Sequence, residues 1–449
     1  MTESFRGQAD EVIAALYQRI GERAPQPRLW PTRRAVELLG DPQHMFGVVH
    51  ITGSNGKTST ARMIESILRA HGLRTGLMTS PHLQRLNERI VVDGQSVSDE
   101  ALVENYRDIE PYLTIVDAEC AARGEPAMTF FEALTVLTFS CFADAPVDVA
   151  VLEVGMGGEW DSTNVANADV AVVTPISLEH VEFLGPTIQD IAKTKAGIIK
   201  PASHVVTSPQ EAEVIDIIAS ACERDEAPLN VLGRDFFVVD SVPAVGGQVV
   251  DIRVSNGEYR GVALPLLGYH QAENAALAVA AAEQFLGGGE HSLAKEVVEE
   301  GLGDSKSPGR LEVVATSPSV IIDAAHNPAS AESLTRALMQ SFQFDTLVVV
   351  LGVLSDKDAE GIVEALDPIA DVFVVTQSES DRAVSAEDLA ETVRAVAGPD
   401  RTSWRENVSQ ALELAREQAG PTGGVVVTGS ITLIGEVKTW AGVMAERES

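Results

Sequence analysis

Residues 46–60 read FGVVHITGSNGKTST, an apolar run that ends in a glycine-bearing polar turn. Residues 61–72, ARMIESILRAHG, then carry apolar side chains at helical spacing and stop at Gly72. The pattern predicts strand, glycine loop, helix. Glycines let backbone N–H groups close around phosphate oxygens, and the helix N-terminus adds a favourable dipole. Gly53, Asn55, Gly56, Lys57, Thr58 and Ser59 are therefore the expected nucleotide contacts. Lys57 would neutralise β- and γ-phosphate charge, and the Thr58 hydroxyl would face Mg²⁺. The loop is shorter than the full GxxxxGK pattern, because Ile51 stands where that pattern requires glycine.

Working outward, the same rhythm repeats. VDVAVLEV precedes GMGG and ADVAVVTPI precedes SLEH, while FEALTVLTFSCF and TIQDIAKTKAGIIK have helical patterns. Before the loop, residues 1–46 read as helix, proline-containing connector (APQPRLWP) and helix. Residues 228–267 change to short alternating stretches that suggest a small antiparallel annex, followed by the alanine-rich helix ENAALAVAAAEQFL. GLGDSKSPGR reads as a linker, after which SVIIDAAHNP, TLVVVLGVLSDKD, DVFVVTQSES and GGVVVTGS restart the strand–turn–helix alternation. The expected architecture is α/β: a P-loop-type, mostly parallel sheet domain with an antiparallel annex (1–303), a linker (304–310) and a smaller Rossmann-like α/β domain (311–449).

Composition narrows the function classes. The 449 residues hold 33 Lys and Arg against 66 Asp and Glu, a net charge of −33. Nonspecific binding to nucleic acid or anionic membrane needs a basic surface, so neither is expected. The three cysteines, Cys120, Cys141 and Cys222, form no CxxC or zinc spacing, which fits a reducing compartment. The first residues carry no basic-then-apolar leader, and no window is apolar enough to span a bilayer, so cytoplasm is the expected location.

The short loop TGSNGKTS resembles that of the Mur ligase superfamily. TSPHLQRLNERI, MTFFEALT, EVGMGGEWDSTN, IAKTKAGIIK, GYHQAENAALA, SPGRLE, IDAAHNP and TGSITLIGEV together, in this order, resemble folylpolyglutamate synthase/dihydrofolate synthase. The resemblance implies an ATP-dependent amide ligase. It joins L-glutamate to dihydropteroate, to the γ-carboxylate of reduced folyl glutamates, or to both, and a bifunctional enzyme is expected. The acceptor carboxylate is activated as an acyl phosphate, which the glutamate amine then attacks. Such chemistry needs hard oxygen ligands, cations over phosphates and little water.

The resemblance also assigns residues. Ser80, Glu153 and His180 match its metal ligands, for two Mg²⁺ ions, and a monovalent cation is part of the expectation. Glu153 ends an apolar strand, where a carboxylate can face the nucleotide. Lys195 matches the lysine carried as a carbamate. Asn274, Arg310 and Asp323 match ATP contacts. Asp323 and His326 also stand as catalytic candidates, and His326 and Ser430 as glutamate contacts. Thr129, Phe130, Phe131 and Glu132, with Trp160, Asp161 and Ser162, match the pterin-contacting blocks. The expected active site lies in the interdomain cleft of a monomer, with Arg310 arriving on closure.

Some positions depart from the pattern. Glu159 stands where the family has Arg, Ser162 in a DATN-type turn, Glu179 where it has Asp, and Thr194 where it has Glu. Glu159 reverses a charge beside the pterin block and puts acceptor affinity in question. Rival readings are a peptidoglycan-type or other amino-acid ligase, and a regulatory NTPase that ligates nothing. The first would carry a domain-sized unit ahead of the phosphate loop. The second leaves the whole second α/β unit unexplained.

Overall fold

The apolar run ahead of the glycine turn forms β1 (Gly47–Thr52), the core of a computed structural model that describes residues 2–22 and 24–448, with side chains for 5–22 and 24–443. Around it lie β2 (Thr75–Met78), β3 (Ile90–Val92), β4 (Gln95–Ser96), β5 (Val149–Glu153), β6 (Val170–Val173), β7 (His204–Thr207) and β8 (Leu229–Val231). They form one sheet in the order β4-β3-β2-β5-β1-β6-β7-β8. The six strands from β2 to β8 in that order run parallel, while β3 and β4 close the edge antiparallel. Strands covered on both faces carry apolar residues toward both, and this is why β5 and β6 read VAVL and VAVV, while β1 adds the buried polar residues His50 and Thr52.

One sheet face packs on Leu16, Ile109, Phe139 and Phe142, from the helices Thr2–Tyr17, Asp99–Ala122 and Phe130–Asp144. The other packs on Ile191, Val214 and Ile218, from the helices Ile188–Ala196 and Ala212–Arg224. The three cysteines are buried free thiols, and burial pushes Cys141 up to about 12.

A three-stranded sheet follows, β9 (Phe237–Ala244), β10 (Gly247–Arg253) and β11 (Glu258–Leu264), in the order β11-β10-β9. Then come β12 (Glu312–Ala315), β13 (Ser319–Ile322), β14 (Leu347–Leu351), β15 (Val372–Val375), β16 (Thr402–Trp404) and β17 (Gly424–Thr428). These make a second sheet ordered β12-β13-β17-β14-β15-β16, parallel except for β12.

The chain divides into two compact units after Ser305, near the linker read from sequence. Two short segments expected in the first unit, Val242–Gln248 and Pro265–His270, group instead with Lys306–Ser449. The reason is local. The Gln248 side chain donates to the Leu266 and Gly268 carbonyls at 2.8 and 2.9 Å, and Leu267 packs on the apolar core of the second unit. Among the described residues no helix is long and apolar enough to cross a membrane.

Candidate active site

The turn after β1 is shaped by glycine. Gly56 has φ +86°, and a Cβ there would come within 2.8 Å of Asn274 Oδ1. The close approach seats Asn274, from the helix Tyr269–Gly287, on the loop just before the helix Lys57–Ala70 begins. Asn274 also donates to Gln271 Oε1 at 3.1 Å, and Gln271 reaches Ser59 Oγ at 3.4 Å. Lys57 Nζ folds back to the Gly53 and Ser54 carbonyls at 2.8 and 3.0 Å. Ser54 and Asn55 N–H groups bond to the Pro175 carbonyl, tying the loop to the segment that carries His180.

Glu153, at the end of β5, accepts from Thr58 Oγ1 at 2.9 and 3.0 Å and from the Ser80 N–H at 3.2 Å. Three predicted residues thus meet at one buried carboxylate. Mg²⁺ takes one or two carboxylates and leaves its other positions to phosphates and water. A lone carboxylate flanked by two hydroxyl-bearing residues suits that habit, and no cluster of three His, Cys, Asp or Glu side chains able to hold a metal occurs among the described residues. His180 heads the short helix Val181–Leu184 at φ +47°.

Lys195 is 1% exposed, and its ammonium lies 2.8 Å from Glu179 Oε1 and 2.8 Å from the Gly53 carbonyl. Burial pushes the Lys195 pKa down, with Glu179 opposing. Despite its own burial, Glu179 is held well below the usual carboxylate range by Lys195, Lys57 and His180.

Immediately past Glu153 the chain turns, and Asp161 organises that turn. Asp161 Oδ2 accepts the Gly155 and Met156 N–H groups at 2.9 Å each, and Oδ1 accepts from Thr163 N and Oγ1 at 3.0 and 2.5 Å. Since the Thr163 hydroxyl donates to Asp161, it accepts from His50 Nε2 at 2.8 Å, which makes His50 the Nε2–H tautomer. Burial raises the Asp161 pKa and lowers that of His50 to about 3.

The turn is one wall of a cavity, open to solvent, that brings together Thr129, Phe131, Glu132, Trp160, Asp161 and Ser162. Phe130 is the exception. It is 2% exposed and points into the core, stacked on Tyr17 with Arg89 over its ring. Glu132 is committed to structure. It accepts from Thr129 N at 2.7 Å as half of a helix-capping box, and from Arg28 Nε and Nη2 at 3.1 and 3.2 Å. The remaining wall was missed in the sequence: Gly21, Glu22, Pro25, Gln26 and Arg28, from the connector after the first helix. The one signal available there was an arginine in a proline-rich stretch. Glu159, whose charge reversal raised a question, is exposed and lines no part of the cavity. Its N–H bonds to the Thr194 carbonyl and its own carbonyl to Asn164.

In the second unit, Asp323 follows β13 and accepts the Leu311 and Ala325 N–H groups at 2.8 Å each. It therefore pins the turn that carries Arg310, whose charge opposes the rise that burial gives the Asp323 pKa. His326 Nδ1 lies 2.9 Å from the Ala324 carbonyl, so that nitrogen carries the proton and Nε2 is the acceptor. Ser430 is buried and accepts the Leu433 N–H at 3.3 Å as a helix cap.

A strand–glycine loop–helix with a strand-end carboxylate, joined to a second parallel α/β unit, defines an ATP-dependent ligase of the Mur type. Residues 51–282 match the Mur ligase middle domain, and 309–431 match the Mur ligase glutamate ligase domain. The dihydrofolate synthase/folylpolyglutamate synthase of Mycobacterium tuberculosis is 42% identical over 96% of this chain and 95% of its own. Among solved structures, M. tuberculosis folylpolyglutamate synthase complexed with ADP superposes with a TM-score of 0.93 at 42% identity, covering 98% of this chain and 99% of that one. Escherichia coli FolC in complex with DHPP and ADP gives 0.82 at 29% identity, covering 98% of each chain. The chain belongs to the folylpolyglutamate synthase/dihydrofolate synthase family of Mur ligases.

Proposed function

We propose that this ligase joins L-glutamate to dihydropteroate and to the γ-carboxylate of reduced folyl glutamates. The observation that carries the reading is the single segment from Glu153 to Asp161. Its first residue bonds to the Thr58 hydroxyl of the phosphate loop, and its next turn forms one wall of the cavity that holds Phe131 and Trp160. A nucleotide and a ring-bearing carboxylic acid are thereby held by adjoining atoms of one turn.

The chemistry follows from this placement. A carboxylate oxygen of the acceptor attacks the γ-phosphorus of ATP, the bond to the β–γ bridging oxygen breaks, and ADP leaves. The glutamate amine then attacks the acyl carbon, loses a proton and expels inorganic phosphate. Gly53, Asn55, Gly56, Lys57, Thr58 and Ser59 cradle the phosphates, with Asn274 seated against the loop. Glu153, Ser80 and His180 would hold Mg²⁺, which when bound neutralises phosphate charge. Phe131 and Trp160 give the pterin its apolar walls, while Asp161, Glu132 and Thr129 fix the shape of the cavity. In the second unit, Arg310 supplies a cation for ATP, and Asp323 positions it. His326, with Nδ1 committed to Ala324, offers Nε2 to the proton of the incoming amine. Ser430, which caps the helix after β17, is with His326 a contact for the incoming glutamate. Lys195 is the lysine we assign to carbamylation, and a cytoplasmic monomer completes the reading.

Phosphate release from ATP, with Mg²⁺ and L-glutamate, tests it. Release is expected with dihydropteroate and with tetrahydrofolate. Release with one alone reduces the enzyme to that activity, and acceptor-independent release would make it an ATPase.

A further inference from the structure

Arg62 lies one helical turn after Thr58 on the helix Lys57–Ala70. Residues four apart share a helix face, and helical side chains lean toward the N-terminus, so Arg62 leans over the turn that presents Thr58 to Glu153. Its Nε is buried without a hydrogen-bond partner, and its guanidinium makes no ion pair among the described residues. Glu153, Glu88 and Glu65 surround it electrostatically and oppose the fall that burial imposes on its pKa. Each of these carboxylates is already satisfied elsewhere. Glu153 takes Thr58 and Ser80, Glu88 takes the N–H groups of residues 83–85, and Glu65 takes Arg69 and Thr75. A buried orphan donor in a native fold calls for a partner from outside the chain.

The surroundings indicate which partner. Lys57 and Lys195, the two lysines that reach the loop carbonyl of Gly53, are engaged there and with Glu179, and Arg89 is engaged with Glu22 at 2.8 Å. Arg62 feels the charge of both Glu153, beside the phosphate loop, and Glu88, whose chain neighbour Arg89 pairs with Glu22 of the cavity wall. The reaction must bring a carboxylate anion against a polyphosphate anion, and that approach needs a cation on the acceptor side. A guanidinium matches a carboxylate better than an ammonium does, because its fork can bond both oxygens.

We propose that Arg62 binds the reacting carboxylate of the acceptor and aims one of its oxygens at the γ-phosphorus. The same donor then bonds the carbonyl oxygen of the acyl phosphate and polarises it for the amine. This rests on the ligase reading above.

The experiment compares binding of dihydropteroate and of its primary carboxamide to the full-length enzyme with ADP and Mg²⁺, by calorimetry, in wild type, Arg62→Gln and Arg62→Lys. Wild type is expected to prefer the carboxylate by about 10- to 100-fold. Arg62→Gln should bring the preference to within about 2-fold with ADP affinity unchanged, and Arg62→Lys, which keeps the charge but loses the fork, should fall between. A purely structural arginine would weaken both ligands equally, and that result overturns the proposal, as does full discrimination in Arg62→Gln or a loss confined to ADP. Acceptor-dependent phosphate release by wild type separates the two readings. If it is absent, the ligase reading fails. If it is present while Arg62→Gln still discriminates, only the role of Arg62 falls.

Discussion

Lys57 and Lys195 share one acceptor: each ammonium lies 2.8 Å from the carbonyl oxygen of Gly53. Two cations converge on the first glycine of the phosphate loop, one from the loop itself and one from a helix 142 residues further along the chain. Cations this close repel, the more so as Lys195 is buried, and Glu179, 2.8 Å from Lys195, compensates. The loop is therefore set by a charge arrangement as well as by glycine.

Lys195→Ala is expected to be nearly inactive, since it strips the Gly53 carbonyl of one donor and leaves Glu179 buried without its ammonium. If Lys195 works as a carbamate, short-chain carboxylates partly restore phosphate release in this variant. Restoration by small amines in their place would mean that the ammonium form is the working one.

Arg28 and Glu132 form a buried fork, with side chains 11% and 5% exposed. Removing one partner strands a buried charge, so Arg28→Ala should cost about 3–5 kcal/mol in urea denaturation. The double change Arg28→Met with Glu132→Gln should recover much of that loss. Acceptor KM should rise in both, because the cavity wall moves, while ATP KM holds.

His50 supplies a pH dependence. Its folded pKa is depressed to about 3 from an ordinary 6.5, because charging it inside the sheet loses hydration. Below pH 6.5 the unfolded chain takes up a proton that the folded chain refuses, so this stabilisation is whole above 6.5 and declines as pH falls toward 3. At pH 5 the loss is about 2 kcal/mol. Urea midpoints at pH 7.5 and pH 5 check it: His50→Gln should show a smaller decline than wild type.

Glu159→Arg introduces the residue that the resemblance leads one to expect at that position. Because the side chain is exposed and outside the cavity, acceptor KM should stay within about 2-fold of wild type. A tenfold change would mean that the charge at 159 acts on the acceptor through the solvent-facing side of the turn.

The strand–loop–helix around Gly53 was legible because periodicity and glycine placement are local properties. So was the grouping of Thr129, Phe131 and Trp160, because whole motif blocks travel together. The orientation of each side chain was not. Phe130 and Phe131 are neighbours in sequence, yet the helix turns one into the core and the other into the cavity. Asp161, Glu132 and Asp323 carry the expected residue types, but the structure uses their oxygens to hold backbone N–H groups. Whether a carboxylate faces a ligand or a turn depends on backbone geometry that no spacing encodes. Arg28 and Glu132 are 104 residues apart, and such a pairing leaves no local signature.

The segment from Glu153 to Asp161 also constrains how this enzyme can diversify. A substitution there that reshapes acceptor preference also disturbs the carboxylate set against the phosphate loop, so drift in this stretch is penalised twice. The connector around Pro25 and Gln26 also lines the cavity but lies outside that segment, while its neighbour Glu22 is tied to Arg89 by an ion pair. A library randomised over Pro25 and Gln26 would vary the cavity wall while leaving Glu153 and the phosphate loop unaltered in sequence.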